Sequence, residues 1–141
     1  MTRPNYDDWS GCPIRYSMGV LGDRWSLLIL RDVIFNGYAR YGEFLESGEG
    51  ISTTVLADRL ARLEQNELLI KTPELEDALR TKYLITPKGI DLIPVILQFI
   101  IWAEKYDKNT LVTPSRAAEI SADPEAARVN LIKKITDRGG F

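Results

Sequence analysis

The stretch Ser52-Thr53-Thr54-Val55-Leu56-Ala57-Asp58-Arg59-Leu60-Ala61-Arg62-Leu63-Glu64-Gln65-Asn66 decides the fold, through its own period and through the change of period just downstream. Leu56, Leu60 and Leu63 recur at the spacing of one helix face, and Ser52 stands where a helix wants a capping hydroxyl. At about 100° per residue, Thr54, Asp58, Arg62 and Gln65 fall opposite the leucines, with Arg59 to one side. One face is meant for a core and the other is left to touch something. Past Asn66 the helical spacing stops. Leu68-Leu69-Ile70-Lys71 and Lys82-Tyr83-Leu84-Ile85 are short runs with β-branched or aromatic members. They flank a polar stretch holding Pro73 and the acidic Glu74-Leu75-Glu76-Asp77, so this part reads as a hairpin with a long tip.

Working outward, Cys12-Pro13 opens a helix upstream, because proline suits the first helical position and leaves Cys12 near the N-cap. Ile14, Met18 and Leu21 form a single apolar stripe, and Gly22 is a stop signal. Arg24 to Phe35 is apolar nearly all round, as a helix packed on several sides must be, and Asn36-Gly37 ends it. Tyr41 to Ser47 reads as a brief helix. Downstream, Thr86-Pro87 opens a helix expected to run to about Lys105, with a bend at Pro94, which lacks an N–H and crowds the carbonyl of Ile90. So little of its circumference is polar that a second subunit is expected against it. From Pro114 the chain is polar and Ala-rich. Asp123-Pro124 begins a last helix, expected to dock on the body because it holds too few apolar groups for a core of its own.

Composition narrows the function classes. The chain has 141 residues, enough for one compact domain, and with 45% hydrophobic and 27% charged residues it should fold. It contains no histidine and one cysteine, which excludes a histidine triad, a cysteine or histidine metal cage and a disulfide within the chain. No cofactor or metal is expected, and the carboxylates offer no catalytic pair, so the reading is not an enzyme. A single thiol and a polar start at Met1 to Asp8 suggest a reducing, cytoplasmic setting. Leu92 to Trp102 is too short for a bilayer, which needs about 20 residues, so no membrane partner is expected. The 18 basic and 20 acidic residues leave a net charge of −2. A nucleic-acid partner therefore requires the cations to be gathered on one face.

The order helix, helix, short helix, capped helix, hairpin, long helix is that of a winged helix-turn-helix, mainly α with a small β-hairpin (α+β). In that layout the capped helix enters the major groove and the hairpin lies along the backbone or minor groove. Ser52, Thr53 and Thr54 supply hydroxyls at the helix start. Arg59 and Arg62 supply forked donors, with Asp58 placed to orient one of them. Arg40 before the short helix, and Lys71, Arg80 and Lys82 on the hairpin, are candidate phosphate contacts on double-stranded DNA. The bland alternative for Arg59 and Arg62 is a solvated face with ion pairs to Asp58 or Glu64.

Several pieces together resemble the HxlR-type branch of winged-helix transcription regulators, similar in layout to MarR-type regulators. They are Cys12-Pro13-Ile14, Leu21-Gly22-Asp23-Arg24-Trp25-Ser26 with Leu27 to Arg31, Arg40-Tyr41-Gly42-Glu43-Phe44, Gly50-Ile51-Ser52 with Val55 to Leu60, Leu63-Glu64, Tyr83 to Gly89, and Trp102. The resemblance spans about residues 12 to 105. It implies a homodimer on a short pseudo-palindromic operator, joined through its first and long penultimate helices. Ile14, Met18, Ile93, Leu97, Ile100, Ile101 and Trp102 are the expected dimer contacts. Two departures weaken the DNA reading: Thr54 stands where relatives often carry a cation, and the hairpin tip is acidic.

Cys12 is the redox or effector candidate. A helix N-terminus with Arg15 one turn away favours a thiolate, and some members of the family use the matching cysteine as a sensor of oxidants or electrophiles. Against this, lone cysteines are commonly small hydrophobes in a core. Trp25, Phe99, Trp102 and Tyr106 are expected in core and interface rather than in an effector pocket. The domain reading is residues 1–110 for DNA binding and dimerisation and 111–141 for a C-terminal helical extension. The rival functional reading is a winged-helix protein-interaction module without DNA binding; a third is a small-molecule binding protein with no nucleic-acid role.

Overall fold

The computed structural model describes residues 11–74 and 80–139. The polar start at Met1 to Asp8 and the tip residues Leu75, Glu76 and Asp77 lie outside them. The elements are α1 (Pro13–Leu21), α2 (Ser26–Asn36), α3 (Tyr41–Leu45), α4 (Thr53–Gln65), β1 (Leu69–Pro73), β2 (Thr81–Ile85), α5 (Pro87–Ile90), α6 (Ile93–Tyr106), α7 (Pro114–Ala122) and α8 (Pro124–Asp137). The strands pair antiparallel, from Leu69 opposite Ile85 to Pro73 opposite Thr81. The protein is thus mainly α with one hairpin, in winged helix-turn-helix order.

Local chemistry explains most boundaries. Cys12 is extended at the start of α1, and the N–H of Gly22 closes the other end on the Met18 carbonyl. The Asp23 carboxylate accepts from the backbone N–H groups of Trp25 and Ser26 at 2.8 and 2.9 Å, satisfying donors that the first turn of α2 leaves without helical partners. Gly37 ends α2 at a φ of 69°, the left-handed region glycine enters at little cost. Ser52 caps α4 by accepting from the Val55 N–H at 3.2 Å.

One core joins these elements. Leu30 and Ile34 of α2, Phe44 of α3, Leu56, Leu60 and Leu63 of α4, Leu69 and Ile85 of the hairpin and Ile93 and Leu97 of α6 are buried together. Phe44 is flanked edge-on by Tyr38 and Tyr83, with ring centres 6.3 and 6.4 Å away. Gly89 packs so closely that a Cβ there would come within 2.6 Å of the Leu68 carbonyl oxygen, fixing α5 against the hairpin.

Three expectations need correcting. The helix expected from Thr86 to Lys105 is two helices, α5 and α6, broken at Asp91-Leu92. Pro94 lies in the first turn of α6, where its missing N–H costs no ladder bond, so the strain of an interior proline is avoided by starting a new helix. Secondly, the tail holds α7 as well as α8. Its Thr113-Pro114 start is the same cap-and-proline pair as Thr86-Pro87, and the Thr113 hydroxyl accepts from the Arg116 N–H at 3.2 Å. Thirdly, Ile93 and Leu97 are 0% and 1% exposed within a single chain. Their side chains are committed to the protomer's own core and cannot meet a second subunit.

The same packing accounts for the apolar circumference of α6. Helices α7 and α8 bury Ile120, Leu131 and Ile135 in the common core and cover one side of α6 and α2. Arg138, past the end of α8, donates to the carbonyls of Ile34 and Phe35 at 3.2 and 3.4 Å, capping the C-terminus of α2. A different strip of α6 stays outside: Val95, Phe99, Trp102 and Tyr106 are 43–70% exposed. Ile100 and Ile101 are half-buried, whereas Ile14 and Met18 of α1 are exposed. Of the four aromatics assigned to core and interface, only Trp25 packs against the core.

Candidate nucleic-acid interface

The candidate surface is built on α4, because its leucine face is consumed by the core and its other face is solvent. Ser52, Thr53, Thr54 and Asp58 are exposed, and Arg62 is half-buried. The start of α4 is held from outside as well as by its cap. The Tyr41 hydroxyl of α3 donates to the Thr53 carbonyl at 3.0 Å, tying the two helices of the helix-turn-helix together. Sequence reasoning missed this role of Tyr41; its signal was a tyrosine opening the short helix just before the capped one.

Arg59 and Arg62, paired in the sequence reading, share Asp58 as a neighbour, but Arg59 alone also meets Asp23. The Nε of Arg59 donates to Asp23 at 3.0 Å, and its Nη1 lies against Asp58. It is therefore folded back onto the turn before α2, with a side chain 21% exposed. Burial alone would push the Asp23 carboxyl up. The Ser26 hydroxyl, the backbone N–H groups of Trp25 and Ser26 and the Arg59 guanidinium outweigh it and hold the group below the usual carboxylate range. Asp23 is thus the anchor for both α2 and α4, a role the sequence reading did not assign. Arg62 is half-buried, with its Nε 4.0 Å from Asp58, close enough for orientation but too long for a hydrogen bond.

The hairpin cations also divide. Arg40 pairs with Glu74 at the end of β1, and the Glu74 N–H donates to the Arg80 carbonyl at 2.9 Å. The Arg40 hydrogen bond, with the charges of Arg80 and Lys82 nearby, holds the Glu74 carboxyl below its ordinary range against a smaller opposing desolvation. Arg40, Arg80 and Lys82 therefore gather around one carboxylate at the tip end of the wing. Lys71 is set apart. It pairs across the hairpin with Tyr83, while Lys82 pairs with Thr72, so the alternation of a strand sends Lys71 and Lys82 to opposite faces.

Cys12 occupies the N-cap of α1 without a side-chain capping bond and is half-buried. Among the described residues, no group of histidine, cysteine and carboxylate side chains is arranged to hold a metal ion, and no helix is long and apolar enough to cross a membrane.

A helix-turn-helix with an attached wing at this spacing matches the family model described as HxlR-like helix-turn-helix over residues 20–110. The chain belongs to the HxlR-like family. The HTH-type transcriptional regulator YodB of Bacillus subtilis is 34% identical over 96 residues, covering 67% of this chain and 85% of YodB. YdeP of the same organism, also an HTH-type transcriptional regulator, is 30% identical over 114 residues, covering 80% and 88%. The reduced form of YodB superposes with a TM-score of 0.57 at 33% identity, covering 70% of this chain and 97% of YodB, and YodB has also been solved with quinone bound. The structure of PA1607 superposes at 0.67 with 32% identity, covering 75% and 72%. This HxlR-type chain is accordingly a helix-turn-helix transcriptional regulator by family, and its relatives are regulators rather than enzymes.

Proposed function

We propose that the protein acts as a homodimer that occupies a pseudo-palindromic operator in double-stranded DNA, placing one α4 in each of two successive major grooves. One observation supports this reading: the hydroxyl-bearing start of α4 is exposed and is tied by Tyr41 to α3, whose N-cap residue Arg40 meets Glu74 with Arg80 and Lys82 at the tip end of the wing, while Arg62 lies half-buried further along α4. Ser52, Thr53, Thr54 and Arg62 read the groove edge, and the wing cations hold phosphate. Lys71, on the other face of the wing, can serve only a second phosphate row. Arg59 serves from behind, keeping α4 at its angle to α2. Glu74 and Asp58 compete with phosphate for Arg40 and Arg62, so affinity is expected to be modest and strongly salt-dependent.

The exposed strip of α6 together with Ile14 and Met18 of α1 supports the dimer, with Trp102, Ile100 and Ile101 as its α6 contacts. Cys12 adjoins that strip through α1. An electrophile adduct there, of the kind the quinone-bound form of YodB suggests by analogy, would alter the spacing of the two reading helices.

A mobility-shift titration on the DNA upstream of the protein's own gene, repeated at rising salt, tests the reading. A specific complex should weaken steeply with salt and be lost in Arg62→Glu. Binding that survives Arg62→Glu removes the proposed surface, and no complex at any salt favours the protein-interaction module. Alkylation of Cys12 without change in operator affinity ends the sensing reading.

A further inference from the structure

Between α2, α6 and α7 lies a cleft whose α2 and α7 walls the regulator reading leaves unused; Phe99 and Ile100, also on its wall, belong to the α6 strip proposed for the dimer. Its volume is 580 Å³, within the range of about 300–1,000 Å³ common for sites that hold drug-sized molecules. Leu27, Phe35, Ile96, Phe99 and Ile100 form apolar walls from α2 and α6, and Ile120 closes the third side from α7. Two guanidinium groups line the same space. Arg31 is fixed, donating to Asp32 at 2.9 and 3.0 Å and to Glu49 at 2.9 Å. Arg116 is held differently. It pairs with Glu119 one turn along α7 at 3.0 Å, with side chains 50% and 67% exposed, the kind of surface pair that exchanges readily.

We propose that this cleft binds an amphipathic monoanion, an aromatic or medium-chain carboxylate or sulfonate. Its apolar body lies against α2 and α6, and its charge takes the place of Glu119 on Arg116. A neutral hydrocarbon would leave Arg116 without a role, and a dianion would meet the carboxylates of Asp32, Glu49 and Glu119 around the two arginines. Arg116 and Ile120 lie beyond the stretch that matches the family model, which ends at residue 110, so the site depends on the C-terminal extension of this chain. Helix α2 leads directly into α3 and α4, and α6 carries the exposed apolar strip. A molecule wedged between α2 and α6 would therefore change the angle between the reading helices and the proposed dimer. That consequence rests on the proposed DNA-binding function, whereas occupancy of the cleft does not.

The test is a fluorescence titration of the full chain with 8-anilino-1-naphthalenesulfonate, compared with the neutral dye N-phenyl-1-naphthylamine. Both should saturate at one molecule per chain. Arg116→Ala should weaken the anionic dye about five-fold or more while leaving the neutral one within about two-fold, since only the former uses the guanidinium. Ala103→Trp should fill the cleft and exclude both. Decanoate should displace the sulfonate dye better than decanol does. If Ala103→Trp fails to fold, Arg116→Ala decides alone, because Arg116 is exposed and outside the core. Absence of saturable binding, which is the result if a second copy fills the cleft, overturns the proposal. So does an Arg116→Ala variant that treats the two dyes alike. Unchanged operator affinity with decanoate bound removes the coupling to DNA and keeps the site. Loss of all DNA binding with the dye results intact removes only the regulator reading.

Discussion

Replacing Arg59 by alanine should damage stability first and DNA binding second. Arg59 meets Asp23 at 3.0 Å with side chains 21% and 19% exposed, a pair largely withdrawn from water. Two unit charges 4 Å apart attract by about 4 kcal/mol at an effective dielectric of about 20, before desolvation and side-chain entropy are subtracted. Exposed pairs retain about 0.2–1 kcal/mol in double-mutant cycles, while removing one partner of a fully buried pair costs about 3–5 kcal/mol. A pair with one-fifth of its surface in water falls between, so Arg59→Ala should cost about 2 kcal/mol. Asp23→Ala should cost about 1 kcal/mol more, because it also releases the donors of Trp25 and Ser26 that it caps. Urea unfolding of the two single variants, the double variant and the parent, followed by far-ultraviolet circular dichroism, gives the coupling energy directly. It should be about 1–2 kcal/mol. A coupling below about 0.3 kcal/mol, with Arg59→Ala stable but unable to bind DNA, would show that Arg59 reads the groove and that the clamp is fictitious.

Acid should loosen the same clamp. The folded pKa of Asp23 is depressed, so its contribution is complete above the ordinary carboxylate range and is lost as pH falls through the folded value. Urea midpoints measured from about pH 5 down to pH 2 should fall less steeply in Asp23→Asn than in the parent. Gly89→Ala, which drives a Cβ to within 2.6 Å of the Leu68 carbonyl oxygen and of Ile85, should destabilise by about 1–3 kcal/mol, and a melt indistinguishable from the parent would refute the close packing of α5 on the hairpin. Met18→Asp and Trp102→Asp, at positions 53% and 66% exposed, should yield folded monomers by light scattering. If both variants remain dimeric, the α1 and α6 strip is not the interface.

The helices of the reading head are legible in the sequence because their signals are local. A leucine at every turn, a serine or threonine cap, proline in a first turn and glycine past an end act over a few residues and need no distant partner. For that reason Ser52 to Asn66, the Cys12-Pro13 start, the Gly37 stop and the hairpin strands lie where periodicity and capping put them. Helix α7 carries the same cap-and-proline signal at Thr113-Pro114, but its polar, alanine-rich interior offers no stripe to follow. Pro94 suggests a kink within one helix because spacing alone does not say whether a proline interrupts a helix or begins one.

Sequence by itself determined the element types, the apolar faces and the presence of hydroxyls at the start of α4 and arginines further along it, since these come from residue chemistry and short-range backbone geometry. Tertiary structure alone decided which cations can act together. It drew Arg59 inward onto Asp23, gathered Arg40, Arg80 and Lys82 around Glu74 and sent Lys71 to the other face of the wing. It also spent Ile93 and Leu97 on the protomer's core while leaving Trp102 outside. The physical reason is that charge pairing and burial depend on distances between residues far apart in the chain, such as Asp23 and Arg59, and those distances exist only once the helices have packed.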